Sequence, residues 1–456
     1  MRAMRRLAEV VTIVVAMFAA APAHAALPPI KHVFVIWLEN KDFAKTFAEN
    51  NPPAPYLAKT LPAMGALLPE YYATGHLSLD NYISVVSGQG PNPQTQADCQ
   101  FFTDFQGISG GADGQAMGTG CVYPKEVKTV ANQLEEKGLR WKGYMEDMAL
   151  SGGDQKSCVH PAINQRDTTQ SATAQSQYAA RHNPFVYFHS IIDTPSCNEN
   201  DVDLQHLPPD ISQAATTASY SFITPDLCSD GHDETCANTK QKGGYAGINA
   251  FLEEWVPKIL ASPGYKDDGL LVVSFDEAEN DASSCCNERA ANTPNAGGPT
   301  AGSGGGKIGA VLISPFIKPG TVDRTPYNHY SFLRTTEDLF GLPHLGYAAA
   351  EGLVPIGDKV FNQVPRMDLA VSAKRLGRNR LRLTIDAGRQ ATISFGGVCR
   401  SARARATSED GTQTVTVGYA RAGSCRVAAS RPSWETATKS FKLRAPKRVM
   451  PLPLKH

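Results

Sequence analysis

"HVFVIWLEN", residues 32–40, is a nearly unbroken apolar run that stops abruptly on a carboxylate and an amide, Glu39 and Asn40. "LLVVSFDEAEND", residues 270–281, repeats the arrangement with Asp276 and Glu277. A strand that is apolar at every position, rather than at alternate ones, is covered on both faces, the habit of parallel sheets flanked by helices. In open sheets of that kind, ligands bind beyond the carboxyl ends of the strands. The two stretches therefore predict a fold class, α/β, and a site within it. Acidic residues also cap helices, and for either pair alone that reading stays open. For both pairs together a cation is the natural partner, because unpaired carboxylates brought close would repel.

Working outward, "FVYFHSI" (185–191), "YSFITP" (220–225) and "GAVLISPF" (309–316) read as further buried strands. "VKTVANQLEEKG" (127–138) and "AGINAFLEEWVPKILAS" (246–262) show helical periodicity between them. The glycine-rich stretch 292–306 is either a flexible linker or a lid over the site. After residue 366 the texture changes. "RLRLTIDAG", "ATISFGG" and "QTVTVGYA" alternate polar and apolar residues, which predicts a small antiparallel, sandwich-like β unit.

Charge divides the chain in the same place. Residues 366–456 carry 19 Lys and Arg against 5 Asp and Glu, whereas residues 26–365 carry 22 against 38. The expected organisation is a leader (1–25), an acidic catalytic domain (26–365) and a basic β-rich domain (366–456). Met1–Ala25 has arginines, a short apolar run and "AHA", the pattern of a secretory signal peptide, so a periplasmic or secreted location is expected. No other segment is long and apolar enough to cross a membrane. Ten cysteines, an even number, argue for disulfides, with Cys99–Cys121, Cys228–Cys236 and Cys399–Cys425 as natural neighbours and Cys285-Cys286 ambiguous. There is no CxxC pair for a zinc knuckle.

"HLSLDNYISVVSGQG", residues 76–90, places Ser78 just before an apolar helix. Ser78 reads as a helix cap or as a nucleophile, and a helix N-terminus favours the anion that a nucleophile becomes. A metal held by Glu39, Asn40, Asp276 and Glu277 would lower the hydroxyl's pKa. Asn81, one turn along, is placed to donate to a phosphoryl oxygen. "YSFITPDLCSDGHDETC" ends a third strand with Asp226, Asp230, His232 and Asp233, and "YNHYSFLRTTEDLFGL" offers His329; each has an ordinary surface or capping reading by itself.

Together with "WKGYMEDM", "RHNPFVYFHSI" and "HYSFLRTTEDLFGLPHLGYA", these stretches occur in the order seen in the bacterial phosphoesterase family, which this chain resembles over about residues 31–347. That family holds secreted acid phosphatases and non-specific phospholipases C within the alkaline-phosphatase-like superfamily. The resemblance implies a mostly parallel sheet between helix layers. It implies a metal at Glu39, Asn40, Ser78, Asp276 and Glu277, with Ser78 as nucleophile and Asn81 as phosphoryl-binding partner. Asp230, His232 and His329 look like a second metal or leaving-group side, Arg181 and His182 like a basic pair that steadies phosphate, and Glu146 like an orienting residue. The sequence departs from the family where secreted phosphatases read His-Pro-Ser-x-Pro-Asn: here it is "HLSLDN", with Asp80 beside the expected nucleophile.

The function expected is an exported, metal-dependent phosphoric-ester hydrolase working through a phosphoserine. Phospholipase C action is the alternative, and a non-catalytic protein binding anionic surfaces through its basic tail is a second one. The oxygen donors suit Mg, Ca or Mn, and the imidazole side would accept Zn or Fe. The expected partners are a phosphomonoester or phospholipid substrate and an anionic surface, without specific nucleic-acid recognition.

Overall fold

The computed structural model describes residues 27–444, apart from 152–155, 291–292, 294–295, 299–301, 378, 401 and 409. The expected signal peptide at 1–25 and part of the glycine-rich stretch lie outside the described residues. The central sheet contains β1 (His32–Leu38), β2 (Ala66–Leu68), β3 (Trp141–Met145), β4 (Asp201–Asp203), β5 (Tyr220–Thr224), β6 (Gly269–Phe275), β7 (Ala310–Ile313) and β8 (Thr321–Val322). Their order across the sheet is β8-β2-β7-β6-β1-β5-β3-β4. Every pairing is parallel except those of β7, which runs antiparallel to β6 and β2. The fold is therefore α/β with a mainly parallel sheet, as expected.

The apolar runs of β1 and β6 behave as double-sided burial requires: Val33 to Leu38 and Leu270 to Phe275 are all at or below 1% exposure. Helices α1 (Ser78–Ser87), α2 (Gly244–Ala261) and α3 (His329–Phe340) cover the sheet, and α1 packs against α3. One expected strand is corrected. "FVYFHSI" forms helical turns, Pro184–Tyr187 and His189–Ile192, because Pro184 opens the first turn and Asn183 accepts the Phe185 N–H at 3.3 Å. Phe185 to Phe188 are fully buried, so apolar content alone did not distinguish helix from strand.

Beyond residue 366, Ala370–Arg375, Arg380–Asp386 and Thr412–Gly418 form one antiparallel sheet, and Thr392–Gly397, Arg405–Ala406, Gly423–Ser430 and Ala437–Leu443 another. Their residues alternate exposed and buried, as in the run from Arg380 to Asp386. Arg431 turns towards the central sheet, pairing with Asp267 at 2.9 Å and Asp268 at 3.2 Å. Arg389 lies 4.2 Å over the Trp434 ring, which meets Phe316 edge-on.

Disulfides join Cys99–Cys121, Cys158–Cys197, Cys228–Cys236, Cys285–Cys286 and Cys399–Cys425. The three neighbour pairings expected from sequence are among them. No helix among the described residues is long and apolar enough to cross a membrane.

Candidate active site

Because β1 lies between β5 and β6, the carboxyl ends of these strands bring their following residues together. Asn40 takes a left-handed conformation (φ 52°), tolerated by asparagine, and its N–H donates to Asp276 Oδ1 at 2.9 Å. The Glu39 N–H donates to the Asp230 carbonyl at 3.0 Å and the Lys41 N–H to that of Glu277 at 3.1 Å. Backbone hydrogen bonds thus lock the carboxylate-bearing turns against one another. The Glu39 carboxylate, fully buried, accepts from Asn40 Nδ2 (2.8 Å), Tyr82 OH (2.8 Å) and Ser78 Oγ (2.9 Å).

Ser78 opens α1, but its side chain does not cap it. Leu77 occupies the capping position, the Ser78 hydroxyl is turned to Glu39, and Asp98 Oδ1 takes the Leu79 N–H at 3.0 Å. Asp98, a contributor that the sequence reading missed, also faces Arg181 Nε at 3.7 Å. An acid twenty residues downstream of Ser78 carries no local signal of that role. Asn81, expected to donate to a phosphoryl oxygen, is engaged elsewhere. Its Oδ1 accepts from the Thr74 and Gly75 N–H groups, both at 3.0 Å, and its Nδ2 donates to the Gly75 and Leu77 carbonyls at 2.9 and 3.2 Å. Its place is that of a staple for the turn leading into Ser78.

On the other side of Glu39, His182 Nδ1 lies 3.1 Å from Asp230 Oδ2 and Nε2 lies 3.2 Å from Glu39 Oε1. The ring stacks on Tyr82 with centroids 5.2 Å apart. Ligand atoms of Glu39, His182 and Asp230 all fall within 4.8 Å of one another, a grouping that could hold a metal ion. His182, read from sequence as a phosphate-steadying base, thus stands among the potential ligands. Its neighbour Arg181 donates to the Gln170 carbonyl and meets His232 Nε2, each at 3.0 Å. His232 is oriented from its other nitrogen by Asp233 at 2.8 Å.

His329 is set deeper. Its Nε2 faces the Asp276 carbonyl oxygen at 2.7 Å and its Nδ1 faces Tyr71 OH at 3.4 Å, so it supports the strand end from beneath instead of joining Asp230 and His232. Burial lowers its pKa to about 3, keeping the ring neutral. Glu146 accepts the Asp226 N–H at 3.0 Å, and Asp226 in turn accepts from the Cys228 and Ser229 N–H groups, shaping the loop that presents Asp230. Glu277 meets His76 Nδ1.

Burial pushes Glu39 well above the usual carboxylate range, and the charges of Asp276 and Asp230 push it further. Asp230 and Glu277 are raised by the same two causes. Asp276 is raised by burial, against the pull of the Asn40 N–H and the Ser78 hydroxyl. Asp276 Oδ2 and both oxygens of Asp80 are buried without a hydrogen-bond partner among the described residues. Bare oxygens crowded this way, with a serine, an asparagine and an imidazole beside them, fit a hard divalent cation. The largest surface cavity, about 930 Å³, lies elsewhere, lined by Pro28, Arg334, Asp338, His344 and Lys359 among others. Chemistry, not volume, marks the site.

A model of the Phosphoesterase family matches residues 50–343. The chain belongs to this family. Among curated relatives of the family member, a probable acid phosphatase of Kluyveromyces lactis is 26% identical over 69% of this chain and 59% of its own length. An acid phosphatase of Aspergillus fumigatus is 24% identical, over 69% and 55%. A phosphatidylinositol-3-phosphatase of Mycobacterium tuberculosis is 25% identical, over 72% and 82%. The chain thus spans little more than half the length of the fungal relatives. Among solved structures, a protein in the alkaline phosphatase superfamily from Vibrio parahaemolyticus overlays with a TM-score of 0.38 at 11% identity, over 95% of this chain and 88% of that one.

Proposed function

We propose that this chain is an exported, metal-dependent hydrolase of phosphoric esters with Ser78 as its nucleophile. The observation that carries the reading is the Ser78 hydroxyl, 3% exposed at the start of α1 and 2.9 Å from Glu39 Oε2, within a ring of carboxylates that lack a cation. Glu39, Asn40, Ser78, Asp276 and Glu277 would hold one divalent ion (Mg, Ca, Mn or Zn), with Asp230, His182 and His232 on the further side. The ion would supply charge neutralisation for phosphoryl oxygens and a lowered pKa for the serine hydroxyl.

The chain's own groups account for the remaining steps. Ser78 Oγ forms a bond to phosphorus as the ester oxygen leaves with its electron pair. The hydroxyl proton passes first towards Glu39 Oε2, the acceptor it already faces. The dipole of α1 favours the phosphoserine dianion, and Arg181 adds positive charge beside it. Water then attacks phosphorus from the vacated side and restores the serine. Asn81 keeps the 74–77 turn in shape, so that Ser78 stays in line.

Ser78→Ala should lose at least about 10³-fold in turnover of an aryl phosphate, with circular dichroism unchanged; retained turnover would end the reading. Phospholipase C cleavage is separated by the product, inorganic phosphate from a monoester or phosphocholine from lecithin. Five disulfides fit an oxidising compartment and support export. The exposed Arg380, Arg382 and Arg426 extend the reading to anionic surfaces, with salt-sensitive retention on phosphatidylglycerol vesicles as the check.

A further inference from the structure

Asp80 is 1% exposed, and neither of its oxygens has a hydrogen-bond partner among the described residues. The charges that act on it most strongly belong to Glu277, Asp98 and Asp276, all carboxylates. With Glu39 and Asp230, six acids stand around the site. Against them, Arg181 answers Asp98 at 3.7 Å, His182 lies between Glu39 and Asp230, and His76 meets Glu277. One divalent ion on Glu39, Ser78 and Asp276 leaves Asp80 unanswered.

The space in front of Asp80 is also kept open. A methyl group at Gly75 would lie 2.7 Å from each Asp80 oxygen and 2.9 Å from the Ala296 carbonyl oxygen, so three oxygens converge on the bare face of that glycine. Its N–H is fixed by Asn81 Oδ1 at 3.0 Å, which holds the face in place. A buried carboxylate with no donor and three like charges around it is tolerable when a cation joins them. An oxygen-only set of carboxylates and a carbonyl suits Ca²⁺ or Mn²⁺.

We propose that Asp80, with Glu277 beside it, seats a further divalent cation, separate from the ion held at Glu39, Ser78 and Asp276. The inference rests on the hydrolase reading above. The secreted phosphatases that the sequence resembles have proline where Asp80 stands, so the extra seat would be a property of this chain.

The test counts Mn²⁺ bound per full-length chain by equilibrium dialysis, for the wild type, Asp80→Asn and Gly75→Ala. Both variants are expected to bind one equivalent fewer than the wild type. Gly75→Ala reaches the same oxygens from the opposite side, so the result does not hang on the folding of one variant. In chelator, Asp80→Asn is relieved of a like charge and should melt about 2–4 °C above the wild type. Equal Mn²⁺ in all three proteins, with Ser78-dependent hydrolysis intact, would overturn this seat and leave the proposed function standing. A wild type that binds no divalent cation would overturn both.

Discussion

The two ends of β1 and β6 hold similar residues in opposite circumstances. At the amino end, Asp268 is 4% exposed and answered on two sides, by His32 Nδ1 at 2.7 Å and Arg431 at 3.2 Å. Asp267 shares the same arginine at 2.9 Å. At the carboxyl end of the same strands, Glu39, Asp276 and Glu277 face one another, and Asp276 Oδ2 is bare. Burying a charge is tolerable when it is paired and expensive when it is not. The amino end is therefore finished as protein alone, with the C-terminal sheets supplying the missing base. The carboxyl end is complete only with something the chain does not contain.

The sharpest way to break this contrast is to neutralise one acid at each end. Glu39→Gln should lower phosphomonoester turnover by at least about 10²-fold, while in chelator above neutral pH it melts higher than the wild type, since a like charge has gone. A variant that melts lower under those conditions would mean the carboxyl-end acids are structural. Asp268→Asn should do the reverse, weakening the fold by about 2–4 kcal/mol in urea unfolding because His32 and Arg431 lose their partner, with turnover unchanged. Arg431→Ala is a smaller version, about 1 kcal/mol because the pair is partly exposed, with enough stability left to assay. If Arg431→Ala abolished turnover, the amino end would not be the inert counterpart described.

Much of the carboxyl end was legible because β1 and β6 are apolar at every position and stop on oxygen donors, a pattern tied to one sheet geometry. Ser78 was legible as a helix start, but its hydroxyl's partner was not, since Glu39 lies 39 positions away in the chain. His182 was assigned to phosphate because it adjoins Arg181; only the stacking on Tyr82 and the approach of Glu39 and Asp230 reveal it as a potential ligand. Asn81 was read from its spacing to Ser78, whereas its hydrogen bonds belong to the preceding turn. The amino end was invisible in the sequence. Arg431 and Asp268 lie 163 positions apart, and net charge only hinted that basic tail and acidic body attract.

A third buried acid limits how far the contrast can be taken. Glu337, on α3, accepts the Leu345 N–H at 2.8 Å through Oε1 and leaves Oε2 bare, with neither a cluster of acids nor a firm basic partner. Burial, helped by Asp338 and opposed by Arg334, lifts its pKa to about 9. A lone acid can meet burial by keeping its proton, which a crowd of acids around a site for a cation does not exploit. The consequence has a definite sign. The unfolded chain releases this proton near pH ~4 and the folded chain near 9, so the folded state binds more protons in between. The stabilisation is complete below the unfolded value and is lost as pH rises through the folded one. Urea unfolding of the wild type should therefore show stability falling between pH 5 and pH 9 by a share due to Glu337, at most about 1.4 kcal/mol per pH unit. Glu337→Gln, which is neutral in both states, should flatten the curve by that share. An identical slope in the variant would mean that Glu337 is ionised in the fold, and that a bare buried oxygen is no guide to a missing cation.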